Sequence, residues 1–164
     1  EGTRSRQDLH ELAFVPAPSA VAERLGVEPG AEVWVRRSVV TLSGRPQMLS
    51  DSYYRRETVE GTRIMTKNMG PGGGFRTLED HGHRLDWIQE DITPRMPMPT
   101  ETRALELPPG TPVVEMFRTT FTLDERPIEV LRAVIAADLV IFDHHFAIPD
   151  GPGERPRLIL GPTS

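Results

Sequence analysis

A glycine-rich segment in the middle of the chain is the first feature whose residue types could bind a ligand. Residues 70–74 read GPGGG, and FRTLEDHGH follows with the composition of a short helix. Backbone N–H groups in such a turn, with the partial positive charge at a helix start, attract anions. The segment matches neither nucleotide-binding template, because no lysine follows the glycines and Phe75 interrupts the dinucleotide fingerprint. Two interpretations stay open, a structural loop or a looser cradle for a ligand.

Histidines are the next residue type that could do chemistry. His81 and His83 are separated by one residue, and His144 and His145 are adjacent. A catalytic zinc site requires about three protein ligands, and this spacing does not fix a third. Adjacent residues of a strand also point to opposite faces. We therefore expect surface histidines, with no metal and no cofactor.

A catalytic nucleophile is poorly supported by the sequence. The chain has no cysteine and no G-x-S-x-G motif, which excludes a thiol nucleophile and the serine nucleophile elbow. Ser50 and Asp51 read as a dipeptide within a strand rather than as part of a catalytic triad.

Three charged residues lie in segments that read as half-buried strands, namely Arg36, Arg37 and Glu129. Burying a charge is costly unless it is paired or faces a cavity. Two alternatives follow. The charges form salt bridges or face solvent, or they form the floor of a polar pocket that holds a ligand.

Composition limits the classes of protein that the chain can represent. Its 164 residues suit one domain with a single core. No apolar run approaches the ~20 residues of a membrane helix, and no secretory signal begins the chain. The net charge of −5 makes the chain a poor candidate for direct contact with nucleic acid. We expect a cytoplasmic protein without membrane contact.

An internal repeat organises the elements that position these residues. LGVEPGAEV (25–33) aligns with LELPPGTPV (105–113), and RSVVTLSGRP (37–46) aligns with RTTFTLDERP (118–127). Each copy reads as a short helix, a Pro-Gly turn and two strands joined by a tight turn. Two copies are too few for a solenoid. The repeat predicts one antiparallel sheet built from two similar halves, with Val33, Val35, Val113 and Phe121 in a common core.

The segments outside the repeat complete an α+β fold with flanking short helices. Ser19 is expected to cap the first helix and Gly26 to end it. A helix is predicted from about Phe75 to His81, and RLDWIQEDITPRM reads as a strand. A last strand is predicted over DLVIFDHHFAI, residues 138–148.

These motifs together resemble the UTRA effector-binding domain of GntR-type regulators, in the HutC subfamily. The resemblance rests on LGVEPGAEVWVRRSVVTLSGRPQMLSDSYY, GPGGGFRTLEDHGH and EDITPRMPMPTETRALELPPGTPVVEMFRTTFTLDERPIEV. It implies a chorismate-lyase-like fold over residues 18–148, a tail over 149–164, and a linker over 1–17 that follows a winged helix-turn-helix domain. It further implies a homodimer that binds DNA only through that absent domain.

The same resemblance implies a set of effector-binding residues. The glycine loop and the glutamate after the second R-P turn carry over directly, while Arg36, Arg37, Ser50 and Tyr53 complete the predicted site. The complete predicted set is Arg36, Arg37, Ser50, Tyr53, Gly72, Gly73, Gly74, Phe75, Arg76 and Glu129. The arginine pair of sugar-phosphate sensors falls on Ser38 and Val40, their strand glutamate on Ser50, and their pocket tyrosine on Ile135. We therefore expect a singly charged effector rather than a phosphate dianion.

Two functions remain to be distinguished at this point. One is a sensor domain in which a small-molecule effector modulates operator binding by a repressor. The charges of the predicted site fit an effector with an anionic group. The other is an enzyme that acts on a small carboxylate, as in the lyase that shares the fold. Shared fold is weak support for shared chemistry, so the sensor is favoured.

Overall fold

The computed structural model describes residues 5–145, which form six strands and four α-helices. The strands are β1 (Ser5–Pro16), β2 (Glu32–Leu42), β3 (Arg45–Arg55), β4 (Leu85–Arg95), β5 (Val113–Thr122) and β6 (Pro127–Ala136). The helices are α1 (Ser19–Leu25), α2 (Arg56–Val59), α3 (Gly73–Asp80) and α4 (Pro99–Ala104). Within this part of the chain, no helix has the length and apolarity that crossing a bilayer requires.

All six strands belong to one antiparallel sheet in the order β1-β2-β3-β6-β5-β4. Each copy of the repeat contributes one hairpin, β2–β3 and β5–β6. The hairpins join where β3 pairs with β6, from Met48 opposite Ile135 to Tyr53 opposite Val130. The predicted α+β class and the sheet shared by two halves are therefore confirmed.

Helices α1 and α4 cover the same face of the sheet, which we call the helix face. Val33 and Val35 pack under α1, whereas Val113 packs with Leu105 and Val134 beside α4. Phe121 is only partly buried and stacks on Trp87, with ring centroids 3.8 Å apart. The prediction of one common core is therefore wrong in detail, because these residues belong to separate clusters. Each cluster nevertheless draws on both halves, since Val130 packs under α1 and Leu49 packs against the cluster beside α4.

A row of charged side chains crosses the helix face between these two clusters. Its members alternate in sign from one edge to the other: Glu11 (β1), Arg37 (β2), Asp51 (β3), Arg132 (β6), Glu115 (β5) and Arg95 (β4). Glu101 of α4 closes the row by pairing with both Arg95 and Arg132. We call these seven residues the charge row. Cross-strand pairing places opposite charges side by side, which stabilises the sheet.

The two ends of the described chain differ from the sequence-based expectation. Residues 1–17 are expected to form a linker, but Ser5–Pro16 form β1 and pair with β2 over most of its length. That part of the linker prediction is wrong. Residues 140–145 form no strand, although one is predicted over 138–148, and residues 146–148 lie outside the described residues. The predicted tail, residues 149–164, lies outside them as well.

The predicted ends of the short helices are partly confirmed. Gly26 adopts the left-handed conformation that ends α1, as expected. Ser19 makes no capping hydrogen bond, because α1 begins one residue earlier in the chain and Pro18 occupies the cap position. Helix α3 begins at Gly73 rather than Phe75, so part of the glycine segment is itself helical.

Candidate functional site

The face of the sheet opposite α1 and α4 carries a group of polar side chains, and we call it the Tyr54 face. Side chains alternate between faces along each strand, and the strand register brings equivalent positions side by side. Ser38 lies opposite Ser50, and Thr120 lies opposite Glu129. The polar residues on this face include Arg36, Ser38, Ser50, Ser52, Tyr54, Glu90, Arg118, Thr120 and Glu129.

Glu129 and Tyr54 form a buried hydrogen-bonded pair at the centre of this face. The phenol of Tyr54 donates to Oε1 of Glu129 at 2.6 Å, and the hydroxyl of Thr120 donates to Oε2 at 3.4 Å. Burial, followed by the adjacent Glu129 carboxylate, raises the pKa of Tyr54 well above its usual value. The phenol therefore stays protonated and donates a hydrogen bond to the carboxylate.

Arg36 fixes the chain segment that leads into the glycine loop. Its Nη1 donates to the carbonyl oxygens of Ile64 at 2.6 Å and Thr66 at 2.5 Å. Burial lowers the pKa of Arg36, but its usual value is so high that the side chain remains charged. Backbone carbonyls therefore already occupy this guanidinium, and its observed contacts are structural.

The glycine segment lies against the Tyr54 face at the start of α3. Gly72 and Gly73 have φ values of 82° and 62°, in the left-handed region that residues with a side chain rarely adopt. A Cβ atom on Gly74 would lie 3.3 Å from Oη of Tyr54, so α3 approaches the buried pair closely. The next residue, Phe75, has its ring centroid 5.9 Å from Cζ of Arg118. Arg76 is exposed and pairs with Asp80 along the helix.

We predict that Gly72→Ala destabilises the protein more than Gly82→Ala does. Both residues have positive φ values, 82° and 85°, but only at Gly72 would the new Cβ meet Cβ of Arg76, at 2.6 Å. We expect a loss of about 2–3 kcal/mol for Gly72→Ala and about 1 kcal/mol for Gly82→Ala, measured by urea denaturation. Equal losses would show that the backbone at Gly72 adjusts to a Cβ atom without additional cost in stability.

The structure separates the predicted site residues between the two faces. Arg36, Ser50 and Glu129 lie on the Tyr54 face, next to the glycine loop with Phe75. Arg37 and Tyr53 point to the helix face, because each is adjacent in sequence to a residue of the Tyr54 face. Arg37 pairs there with Glu11 at 2.6 Å and Asp51 at 3.3 Å. The expectation that Arg37 and Glu129 reach one cavity is therefore wrong.

Sequence reasoning missed three residues of the Tyr54 face, Tyr54, Arg118 and Thr120. Thr120 lies opposite Glu129 in the β5–β6 hairpin, and side chains two residues apart on a strand share a face. Counting from Glu129 in this way would have indicated Thr120 and then Arg118. Instead the repeat aligns Arg118 with Arg37, which lies on the other face. Both hairpins contain a bulge, after Val40 in one and after Thr120 in the other. The residue two positions before the bulge is Ser38 in the first hairpin and Arg118 in the second, so these two positions are equivalent.

Two other features of the described residues bear on ligand binding. A cavity of about 470 Å³ lies at the β5–β6 turn, between Arg55, His83 and Arg126, and contains none of the predicted site residues. Within residues 5–145, no three His, Cys, Asp or Glu side chains stand where they could hold a metal ion together. The polar arrangement on the Tyr54 face is thus the one that combines a buried carboxylate, a guanidinium and the glycine loop.

Comparisons with known proteins match both the sequence and the fold. The UTRA domain family matches residues 1–140. The chain is 39% identical over 150 residues, 90% of its length, to an uncharacterized HTH-type transcriptional regulator of Streptomyces coelicolor, of which it covers 56%. It therefore spans about half the length of the curated relatives that it matches.

Solved structures share the architecture at low sequence identity. A GntR-family transcriptional regulator from Bacillus cereus superposes with a TM-score of 0.74 at 14% identity, over 87% of this chain and 99% of that one. The effector domain of PhnF from Mycobacterium smegmatis gives 0.76 at 20% identity, over 89% of both chains. These similarities confirm the predicted chorismate-lyase-like fold class.

Proposed function

The chain belongs to the UTRA domain family of GntR-type transcriptional regulators, and from this premise we propose that it senses a small-molecule effector. In this proposal it is the effector-binding and dimerising part of a cytoplasmic HutC-type repressor. DNA is bound by a separate domain of the whole regulator, consistent with the net charge of −5 on this chain. Effector binding changes the affinity of that domain for its operator.

The observation that carries the proposal is the buried Tyr54–Glu129 pair directly beneath the glycine loop. A buried carboxylate is costly unless hydrogen bonds compensate it, so its retention at this position calls for a role. Glu129 can accept hydrogen bonds from hydroxyl or amine groups of an effector, while Arg118 and the loop N–H groups attract an acidic group. A small molecule carrying both kinds of group matches this face.

Binding at this site requires the glycine loop to move. Glu129 is only 6% exposed, so an effector reaches it only if α3 and the segment before it shift away from the sheet. The consecutive glycines at 72–74 permit such backbone changes at low cost. A shift of α3 is the kind of local rearrangement that can alter the placement of an attached domain.

The proposal is tested by a thermal-shift screen against sugars, sugar phosphates, amino acids and small carboxylates. A ligand that binds only the folded state raises the melting temperature by mass action, by an amount that grows with its concentration. We expect at least one class to raise it, and the same compound to change operator binding by the whole regulator. If no class raises the melting temperature, the sensor function is rejected.

We further propose that the domain has no enzymatic activity, and this has its own test. Glu129, the carboxylate of the Tyr54 face, already accepts hydrogen bonds from Tyr54 and Thr120, and the phenol of Tyr54 stays protonated. Incubation with chorismate should therefore release no pyruvate. Pyruvate release at a rate proportional to protein concentration would restore the enzyme hypothesis.

We propose that the chain forms a homodimer through the edge strand β4. Among residues 5–145 no strand pairs with the outer edge of β4, and its side chains Trp87 and Ile88 are 42% and 48% exposed. An exposed apolar edge strand favours association, whereas a lysine introduced there disfavours it.

Sedimentation should show a species of twice 18.3 kDa for the parent chain and a monomer for Ile88→Lys. His10→Lys, at an exposed position on the opposite edge strand β1, is the matched control and should leave the dimer intact. A monomeric parent chain at tens of micromolar would contradict the proposal. A dimeric Ile88→Lys variant would show that the dimer interface is not at β4.

A further inference from the structure

The side chain of Arg118 stands apart from the other arginines of the sheet. The strands contain eight arginines, and each of the other seven donates at least one hydrogen bond within the described part of the chain. Nε of Arg118 is buried and has no hydrogen-bond partner among residues 5–145. A buried donor without an acceptor is destabilising, and more so when it is charged. Such an atom in a native structure needs an explanation.

The surroundings of this guanidinium form one side of the proposed effector site. Arg118 precedes Thr120, the hydroxyl that donates to Glu129, and both face the same way on β5. Phe75, the first residue after the glycine run, places its ring 5.9 Å from the guanidinium carbon. The cation thus lies near Phe75 and on the same face of the sheet as the buried carboxylate.

We propose that Arg118 is the anion-binding residue of the effector site and that it selects a monocarboxylate. This inference rests on the proposed sensor function and adds the residue and the chemical class of the effector. A planar guanidinium donates two parallel hydrogen bonds to a carboxylate, and an acceptor there satisfies the unpaired Nε–H group.

The local charge balance favours a single negative charge on the effector. Two carboxylates lie near the guanidinium, Glu90 directly opposite on β4 and Glu129 two positions along on β6. Each has another partner among the described residues, Nε2 of His144 at 3.6 Å for Glu90 and the phenol of Tyr54 for Glu129, which leaves the charge of Arg118 for a ligand. The guanidinium balances one negative charge, whereas the second charge of a phosphate dianion would not be offset, because the nearby Arg36 is already bonded to loop carbonyls. Glu129 then accepts a hydrogen bond from a hydroxyl or amine elsewhere on the same molecule.

The position equivalent to Arg118 in the first half of the sheet does not supply a second cation. Counted from the two strand bulges, that position is Ser38, whose hydroxyl accepts a hydrogen bond from Nε2 of Gln7 at 2.8 Å. The symmetric fold therefore carries an asymmetric site, with one guanidinium on the second half and a satisfied serine on the first.

Three compounds with one carbon skeleton test this assignment: glycerate, glycerol and glycerol 3-phosphate. The probe is the side-chain Nε–Hε resonance of Arg118, identified by its loss in Arg118→Lys. Glycerate should move this resonance saturably, glycerol should leave it unchanged, and glycerol 3-phosphate should bind more weakly than glycerate. An unmoved resonance with glycerate, or tighter binding of the phosphate, would overturn the proposal.

Substitutions separate this inference from the sensor function itself. Arg118→Gln should weaken glycerate binding about 10–100-fold, the usual effect of losing a charged hydrogen bond, and Arg118→Lys should weaken it less. Arg84→Gln removes an exposed arginine outside the site and should change nothing. If effectors found by thermal shift bind Arg118→Gln and Arg118→Lys as tightly as the parent chain, the sensor stands and Arg118 is not its anion-binding residue.

Discussion

Replacing Tyr54 with phenylalanine should lower the free energy of unfolding by about 2–4 kcal/mol at neutral pH. The phenol donates a 2.6 Å hydrogen bond to Glu129, whose side chain is buried. After the substitution, Oε1 of Glu129 has no donor and the long contact from Thr120 is the one that remains. A buried charge that loses its partner is strongly destabilising. Urea denaturation of parent and variant measures the loss.

Tyr53→Phe is the matched control, because the two tyrosines are adjacent and both are buried. The phenol of Tyr53 lies on the helix face, 3.4 Å from Oδ2 of Asp51, which is long for a hydroxyl donor, and it also interacts with Arg37. Arg37 keeps Glu11 and Asp51 as partners when this phenol is removed. We expect a loss below about 1 kcal/mol for this variant. Adding Glu129→Gln to Tyr54→Phe should recover part of the larger loss, since the amide carries no charge. Equal effects of the two phenylalanine substitutions would refute the special role of the Tyr54 face.

The sheet was predictable from the sequence because its two halves repeat the same local signals. LGVEPG and LELPPG each mark a helix end and a turn, and the β-branched segments after them are typical of strands. β1 was not predictable in the same way, since SRQDLHELAFVP lacks a hairpin turn and a repeat partner. Its place in the sheet depends on pairing with β2, which only the folded chain shows.

The candidate site was predictable only in part, for reasons of side-chain direction. The motifs predicted Glu129 and the glycine loop, which lie together at the Tyr54 face. Arg37 was predicted for the same site, but it is the neighbour of Arg36 in the strand and therefore lies on the opposite face. A one-residue error in register reverses the face of every side chain on a strand. The buried partner of Glu129 also comes from 75 residues earlier in the chain, and no local pattern indicates such a contact.

The charge row on the helix face explains why Arg37 belongs there and predicts where charge contributes most to stability. Its most buried member is Glu101, which is 5% exposed. The two guanidinium nitrogens Nη1 and Nη2 of Arg95 each donate to this carboxylate at 2.8 Å, and the backbone N–H of Met98 donates to it at 2.8 Å. Bidentate, charge-assisted pairs of this kind are the strong ones.

Glu101→Gln should therefore lower the free energy of unfolding by about 2–3 kcal/mol at pH 7. The amide keeps the shape of the side chain but removes the charge and one of the acceptors for Arg95. Glu23→Gln, at an exposed position on α1, is the matched control and should change stability by less than about 0.5 kcal/mol. A similar loss in both variants would mean that the charge row contributes little.

The pH dependence of the Glu101→Gln effect tests the same interaction independently. Hydrogen bonds from Arg95 lower the pKa of Glu101 below its usual value of 4.5, so the folded state holds this proton less tightly than the unfolded chain. The stabilisation is then fully present above pH 4.5 and is lost as the pH falls through the folded-state pKa. The parent chain should thus lose its advantage over Glu101→Gln as the pH is lowered below 4.5, as measured by urea denaturation at each pH. A difference in stability that stays constant over this range would show that the carboxylate charge is not what Arg95 and Arg132 recognise.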